Sequence, residues 1–239
     1  MVTIDLNCDM GETPGNQPGS TDQQLLPYVT SANIACGFHA GDPLRMQITV
    51  QAALREGVAI GAHPGLYDRR GFGRRERPVS PSEVYQLTLY QIGALAAFVQ
   101  AAGGRLHHVK PHGALYNMAA RDPKLAAAIV AAAIDFDPSL ILYALAHSEM
   151  IREARKRGLS VAAEGFVDRA YQPDGSLLPR THPNAVLADI PSIVDQSLLL
   201  SKSVDTLCVH SDSTNALAIA RSLRQAFTEN GILVKALSK

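Results

Sequence analysis

The 239-residue chain is 46% apolar and carries 22 basic against 22 acidic residues, enough for one core and without a net field toward nucleic acid or an anionic membrane. No run approaches the roughly 18 apolar residues of a membrane span, and the opening MVTIDLNCDMGE lacks a signal peptide's basic start, so the expected compartment is the cytoplasm. Cys8, Cys36 and Cys208 are odd in number and lack CxxC spacing, which argues against a disulfide framework and a structural zinc site.

In chain order, β-rich runs fall at 2–8, 31–36, 58–63, 106–112, 140–145, 159–166 and 206–212, with a last candidate at 232–237. Between them lie helix-like stretches such as 43–57, 80–104 and 213–231, which begin near Pro or Ser and end at Gly. Seven or eight β/α units without repeat or linker predict a single domain over 1–239, either a closed barrel or a doubly wound sheet. Both arrangements place ligand sites at the carboxyl ends of parallel strands. Segments 15–20 and 67–78 are long enough to be mobile active-site loops, and the second carries Arg69, Arg70, Arg74, Arg75 and Arg77.

Alternate residues of a strand face opposite sides of the sheet, so each run splits into two half-lists. The polar lists are Asp5, Asn7, Asp9; Ala59, Gly61, His63; His108, Lys110, His112; Ala162, Glu164; and Cys208, His210, Asp212. The opposite lists, such as Ile4, Leu6, Cys8, are apolar and suit the layer under the helices. The pattern predicts a barrel whose inner carboxyl-terminal end is polar. Burying so many ionisable groups costs several kcal/mol for each unpaired ion, which favours function over structure for the set. Asp5 and His108, deeper in their strands, read as structural, Cys208 as packing, and His107 as facing helices or solvent.

Three turns follow strand ends: Gly37-Phe-His-Ala-Gly-Asp42, His63-Pro-Gly65 and Pro111-His-Gly113. Glycine there admits a ligand close to the backbone or takes positive φ, and histidine supplies a nitrogen that titrates near neutrality. No GxxxxGK[ST], GxGxxG or HExxH motif occurs. His39, His63, His112, His210, Asp9, Asp212 and Glu164 offer mixed nitrogen and oxygen ligands whose spacing selects no particular metal.

With DLNCDMGE from Asp5, SANIACGFHAGDP from Ser31, GAHPG from Gly61, GFGRR from Gly71, VKPHGALYN from Val109 and EGFVDRAY from Glu164, the chain resembles the LamB/YcsF family over nearly its whole length. That family is also called the A subunit of 5-oxoprolinase. Two departures stand out: His210-Ser211-Asp212 replaces the family's usual His-Gly-Asp, and Phe166-Val167-Asp168-Arg169 its Phe-Ala-Asp-Arg. The resemblance implies a seven-stranded parallel β/α barrel, TIM-like and similar to the glycoside hydrolase/deacetylase superfamily. It further implies cleavage of 5-oxo-L-proline to L-glutamate with hydrolysis of ATP, with Mg²⁺ accompanying the nucleotide, and partner subunits B and C.

On that reading Lys110 stabilises the lactam oxygen or a phosphate, Asp9 or Glu12 is the base, and His39, His63 and His112 orient groups and move protons. Arg69, Arg70, Arg74 and Arg75 close over an anion or meet a partner. Asp168, Arg169 and Arg180 clamp the substrate carboxylate. Asn7, Glu164, His210 and Asp212 complete the substrate site, and no identity is assigned to a site-bound metal. Two other readings stay open: a metal-dependent amide or carbohydrate deacetylase, and a subunit that holds the lactam while a partner performs the chemistry.

Overall fold

The computed structural model describes residues 2–12, 21–213 and 215–238. Seven strands run parallel, in ring order β1 (Thr3–Met10), β2 (Ser31–Ala35), β3 (Ala59–His63), β4 (His108–Val109), β5 (Ile141–Leu145), β6 (Ser160–Phe166) and β7 (Thr206–Val209). β1 pairs with both β2 and β7, so the sheet closes into a barrel and the doubly wound alternative falls. A short β8 (Leu233–Val234) pairs with Thr3 and Ile4, ahead of the β1–β7 pairing that begins at Asp5. The expected 106–112 run contracts to two ladder residues: Lys110 still donates to Ala62 O, but Pro111 has no amide to donate, and Gly113 (φ 53°) then turns the chain into a helix.

The helices are α1 (Thr21–Leu25), α2 (Pro43–Arg55), α3 (Pro81–Ala101), α4 (Gly113–Arg121), α5 (Pro123–Phe136), α6 (Glu149–Lys156), α7 (Ile190–Leu200) and α8 (Ala216–Glu229). Four of their starts follow one local rule. Asp42, Ser80, Asp122 and Asp189 each accept a backbone N–H of the first turn, and each is followed within two residues by proline, which needs no partner there. Among the described residues no helix is long and apolar enough to cross a membrane.

The apolar half-lists fill the space between ring and helices: Ile4, Leu6, Cys8, Met10, Ile34, Ile60, Val109 and Leu207 are all buried there. At about 1.5–3 kcal/mol for each large side chain, this layer supplies the main stabilisation. The lumen is polar instead. At its closed end Asp5 accepts from Thr30, Ser31 and Thr206 at 2.6–2.7 Å, and the Tyr143 ring stacks on His108. His108 fits because Gly61 has no side chain; a Cβ there would lie 2.1 Å from its ring.

Above this plug Asn33 acts as a hub. Its amide donates to Asn7 Oδ1 and Asp9 Oδ1, and its oxygen accepts from His108 Nε2. Asn7 in turn donates to Thr206 and to Glu164 Oε1. The lumen is thus a saturated hydrogen-bond network, the condition under which buried polar groups rigidify a core rather than weaken it.

Candidate active site

Strand parity carries Asp9, His63, Lys110, Glu164, Cys208 and His210 up the inside of the ring to its carboxyl-terminal mouth. Lys110 lies 2% exposed at the centre. Its ammonium donates to Asn7 Oδ1 at 3.1 Å, Asp9 Oδ1 at 3.0 Å and Cys208 Sγ at 3.0 Å, and lies 2.8 Å from Glu164 Oε1. Burial opposes the charge, but the Asp9 and Glu164 carboxylates outweigh it and hold Lys110 well above its usual range. Lys110 is a permanent cation, not a base. Burial also pushes the Cys208 thiol well up, so a neutral sulfur accepts the lysine's hydrogen bond. The sequence-based reading of Cys208 as mere packing is corrected accordingly.

Asp9 has the opposite balance. Burial raises it, while His63 and Lys110 hold its carboxylate well below the ordinary range. Glu12 reaches the mouth because Gly11 (φ 73°) turns the chain out of β1, with its N–H bonded to Asp22 Oδ2 at 2.7 Å. Burial raises Glu12, only partly offset by His112.

The three histidines converge as expected. His39 Nε2 meets Glu12 Oε1 at 2.9 Å, the His39 and His112 rings stack at 3.8 Å, and His112 Nδ1 lies 2.9 Å from His63 Nε2. Burial holds His39 and His112 well below the usual histidine range, with His63 and His39 respectively adding to the shift. Burial also opposes charge on His63, but Asp9 outweighs it and raises that ring. Gly65 makes room here for a ring rather than a ligand, since a Cβ would stand 2.5 Å from His39 Nδ1.

On the opposite side His210 Nδ1 is 2.7 Å from Asp168 Oδ1, and its ring stacks on Phe166. Burial raises Asp168 and His210 more than reverses it, so the carboxylate is held low and orients the ring. The site opens into a cavity of about 810 Å³ whose walls include Asp9, Lys110, His112, His210, Arg169 and Arg180. Burial, and then Arg180, bring Arg169 down to about 10. That repulsion marks a wall of positive charge.

Not every expected residue reaches the cavity. Asn7 and Glu164 are buried beneath it and do not line it, and Glu164 is held by Asn7, Lys110 and the Tyr116 hydroxyl at 2.7 Å. Arg69 donates to Gly37 O and Gly41 O and so pins the turn after β2 instead of closing over an anion. Arg75 pairs with Asp68, while Arg74 pairs with Asp212 at 2.7 Å and spans two rim loops. Loop 67–78, expected to be mobile, also packs on the site through Phe72 O accepting from His112 Nε2 and Gly73 O from Ala114 N. Segment 15–20 lies outside the described residues.

Sequence reasoning missed Asn33 and Tyr116. Strand parity contained Asn33, two residues past Ser31; nothing local marked Tyr116, whose role depends on how α4 leans over β6. Among the described residues, two groups hold donor atoms close enough for a metal ion: Glu12, His39, His63 and His112, and Asp9, Cys208 and His210. Lys110 already places a positive charge on two members of the second.

Known proteins agree with this architecture. The A subunit of 5-oxoprolinase from Brevibacillus brevis is 52% identical over 99% of this chain and 98% of its own length, and that from Geobacillus thermodenitrificans is 53% identical over 100% and 98%. The crystal structure of the lactam utilization protein from Thermus thermophilus superposes with a TM-score of 0.91, at 44% identity, over 98% of this chain and 100% of that one. A family 4 carbohydrate esterase from Streptomyces lividans, 13% identical with a TM-score of 0.57 over 99% of this chain and 93% of its own, shares the fold alone. Because the LamB/YcsF family model matches residues 4–239 and half of the residues are shared with such relatives end to end, the chain belongs to the LamB/YcsF family.

Proposed function

We propose that this chain is the A subunit of an ATP-hydrolysing 5-oxoprolinase of the cytoplasm, opening 5-oxo-L-proline to L-glutamate together with partner subunits B and C. The observation that carries the reading is the permanent Lys110 cation at the floor of an open cavity, beside Asp9 and opposite the oriented His210. A five-membered lactam resists attack because its amide is resonance-stabilised and its leaving nitrogen is poor. Water adds to the carbonyl carbon, the C–N bond breaks, and the proton released from water ends on the departing nitrogen.

Lys110 offsets the charge that develops on the carbonyl oxygen. His210 donates its Nδ1 proton to Asp168, which leaves Nε2 for the proton transfer between water and nitrogen. Asp9, held low, is a weak base and serves Lys110 and His63 as a counter-ion. Glu12, raised by burial, is the less acidic of the two carboxylates. Arg180, beside an Arg169 that donates to Ala185 O and Leu178 O, supplies the charge that receives the substrate carboxylate. ATP and Mg²⁺ enter with the assembled enzyme.

Purified chain is incubated with 5-oxoproline, ATP and Mg²⁺, with and without subunits B and C, and glutamate and ADP are measured. Glutamate forming only when this chain is present with its partners, and lost on His210→Asn, supports the proposal. Full turnover by B and C without it, or unchanged turnover by a folded His210→Asn variant, overturns it.

A further inference from the structure

His63 and His112 meet in a way that neutral rings cannot satisfy. His63 Nδ1 lies 2.6 Å from Lys110 O, and His112 Nε2 lies 2.8 Å from Phe72 O. Carbonyl oxygens only accept, so both of these nitrogens carry hydrogen. The remaining nitrogens, His63 Nε2 and His112 Nδ1, therefore present lone pairs, and they face each other at 2.9 Å. Glu12 Oε1 stands 3.7 Å from the first and 3.3 Å from the second. As long as both rings are neutral, three acceptors converge on one point, and a cation, either a shared proton or a metal ion, belongs there.

We propose that Glu12, His63 and His112 form a binding site for one first-row divalent metal ion of the zinc type, with its remaining coordination position open to the cavity. The three separations bracket the roughly 3.3 Å expected between two ligands of a tetrahedral centre with bonds of about 2.0–2.1 Å. An ion standing roughly 0.8 Å out of the plane of the three atoms is about 2.1 Å from all of them. His63 and His112 line the cavity, so exchangeable water or a substrate oxygen reaches the fourth position.

The surroundings separate ligands from supports. A metal-bound imidazole donates its other N–H to a carbonyl or carboxylate, which fixes ring and tautomer. His63 and His112 both meet that requirement. His39 does not: its Nδ1 is buried and has no partner among the described residues, so binding a metal through Nε2 would strand an N–H there. Its Nε2 instead donates to Glu12 Oε1 and aims that carboxylate, which makes His39 a positioning residue. Asp9 Oδ2, 3.4 Å from His63 Nε2, adds negative charge beside the site. The site rests on this geometry and stands whether or not the lactam reading does.

The test uses the full chain stripped with chelator and then loaded with Zn²⁺ or Co²⁺. Bound metal is counted by mass spectrometry, and Co²⁺ is followed by its visible ligand-field absorption. About one equivalent is expected, with His63→Ala and His112→Gln each weakening binding by more than about 100-fold, and His39→Gln by roughly 10- to 100-fold, the range for loss of an outer-shell partner. Circular dichroism checks that each variant is folded. X-ray absorption on the Zn²⁺-loaded parent, which needs no variant, should count two imidazoles. A folded parent that takes up no metal overturns the site and leaves a proton shared between the rings; a count of none or three imidazoles, or folded His63 and His112 variants that bind like the parent, overturns the ligand set.

Discussion

Replacing Lys110 by Met keeps most of the stem and removes the charge. Asp9 and Glu164 then lose a cation at 3.0 and 2.8 Å in a lumen only slightly exposed to water. Breaking a buried ion pair from one side costs about 3–5 kcal/mol, because the other charge is left uncompensated. Asn33 and His63 still face Asp9, and Asn7 and Tyr116 still donate to Glu164, which keeps the loss within that range despite two orphaned carboxylates. For a chain of this size each kcal/mol moves Tm by about 2–4 °C, so Tm should fall by roughly 6–20 °C. Thermal and urea denaturation at pH 7, followed by circular dichroism, measures it. Adding Glu164→Gln removes one orphaned charge and should recover about 1–3 kcal/mol, a non-additivity expected only of groups in contact. A Lys110→Met variant within about 1 kcal/mol of the parent, or a double variant whose losses simply add, would refute the account of a charge-balanced lumen.

Gly113→Ala should cost about 1–3 kcal/mol, since Gly113 sits at φ 53° and a Cβ would stand 2.6 Å from Gly73 O. Gly93→Ala, inside α3 with open space around it, should gain about 0.5–1 kcal/mol; paired Tm measurements check both, and equal shifts would contradict the backbone argument. Asp168→Asn should lose about 1–3 kcal/mol at neutral pH. Because His210 depresses the folded Asp168 below its unfolded value, that difference is present above the ordinary carboxylate range and disappears as pH falls through the depressed value. Urea titrations of parent and variant at stepped acidic pH test this, and a difference that widens on acidification would rule it out.

Much of the site was legible because a closed parallel ring converts strand parity into position. Asp5, Asn7 and Asp9 occupy three successive levels of the lumen, and the histidines after β2, β3 and β4 meet because every strand ends at the same mouth. What failed were contacts made by long side chains across loops. Nothing local distinguishes an arginine that grips Gly37 O and Gly41 O from one aimed at a ligand, so Arg69 was misplaced. Glu12 and Tyr116 depend on a turn at Gly11 and on the lean of α4, both set by tertiary packing. The pairing of His210 with Asp168 joins residues 42 apart; parity placed His210 at the mouth, while Asp168 was marked only by following the Glu164 strand, and nothing made them partners.

Ring closure also orders events during synthesis. Thr206 donates to Asp5 across 201 residues of sequence, and β7 must emerge before β1 gains its second neighbour. At about 5–20 residues per second, the first strand waits roughly 10–40 s on the ribosome with one edge unpaired. An exposed strand edge invites pairing with other nascent chains, and alternating charge is one of the features that discourages it. The buried acids Asp5 and Asp9 thus act twice in the life of the chain, first as solvated charges that keep an unfinished strand apart from its neighbours, and later as anchors of the lumen once the seventh strand arrives.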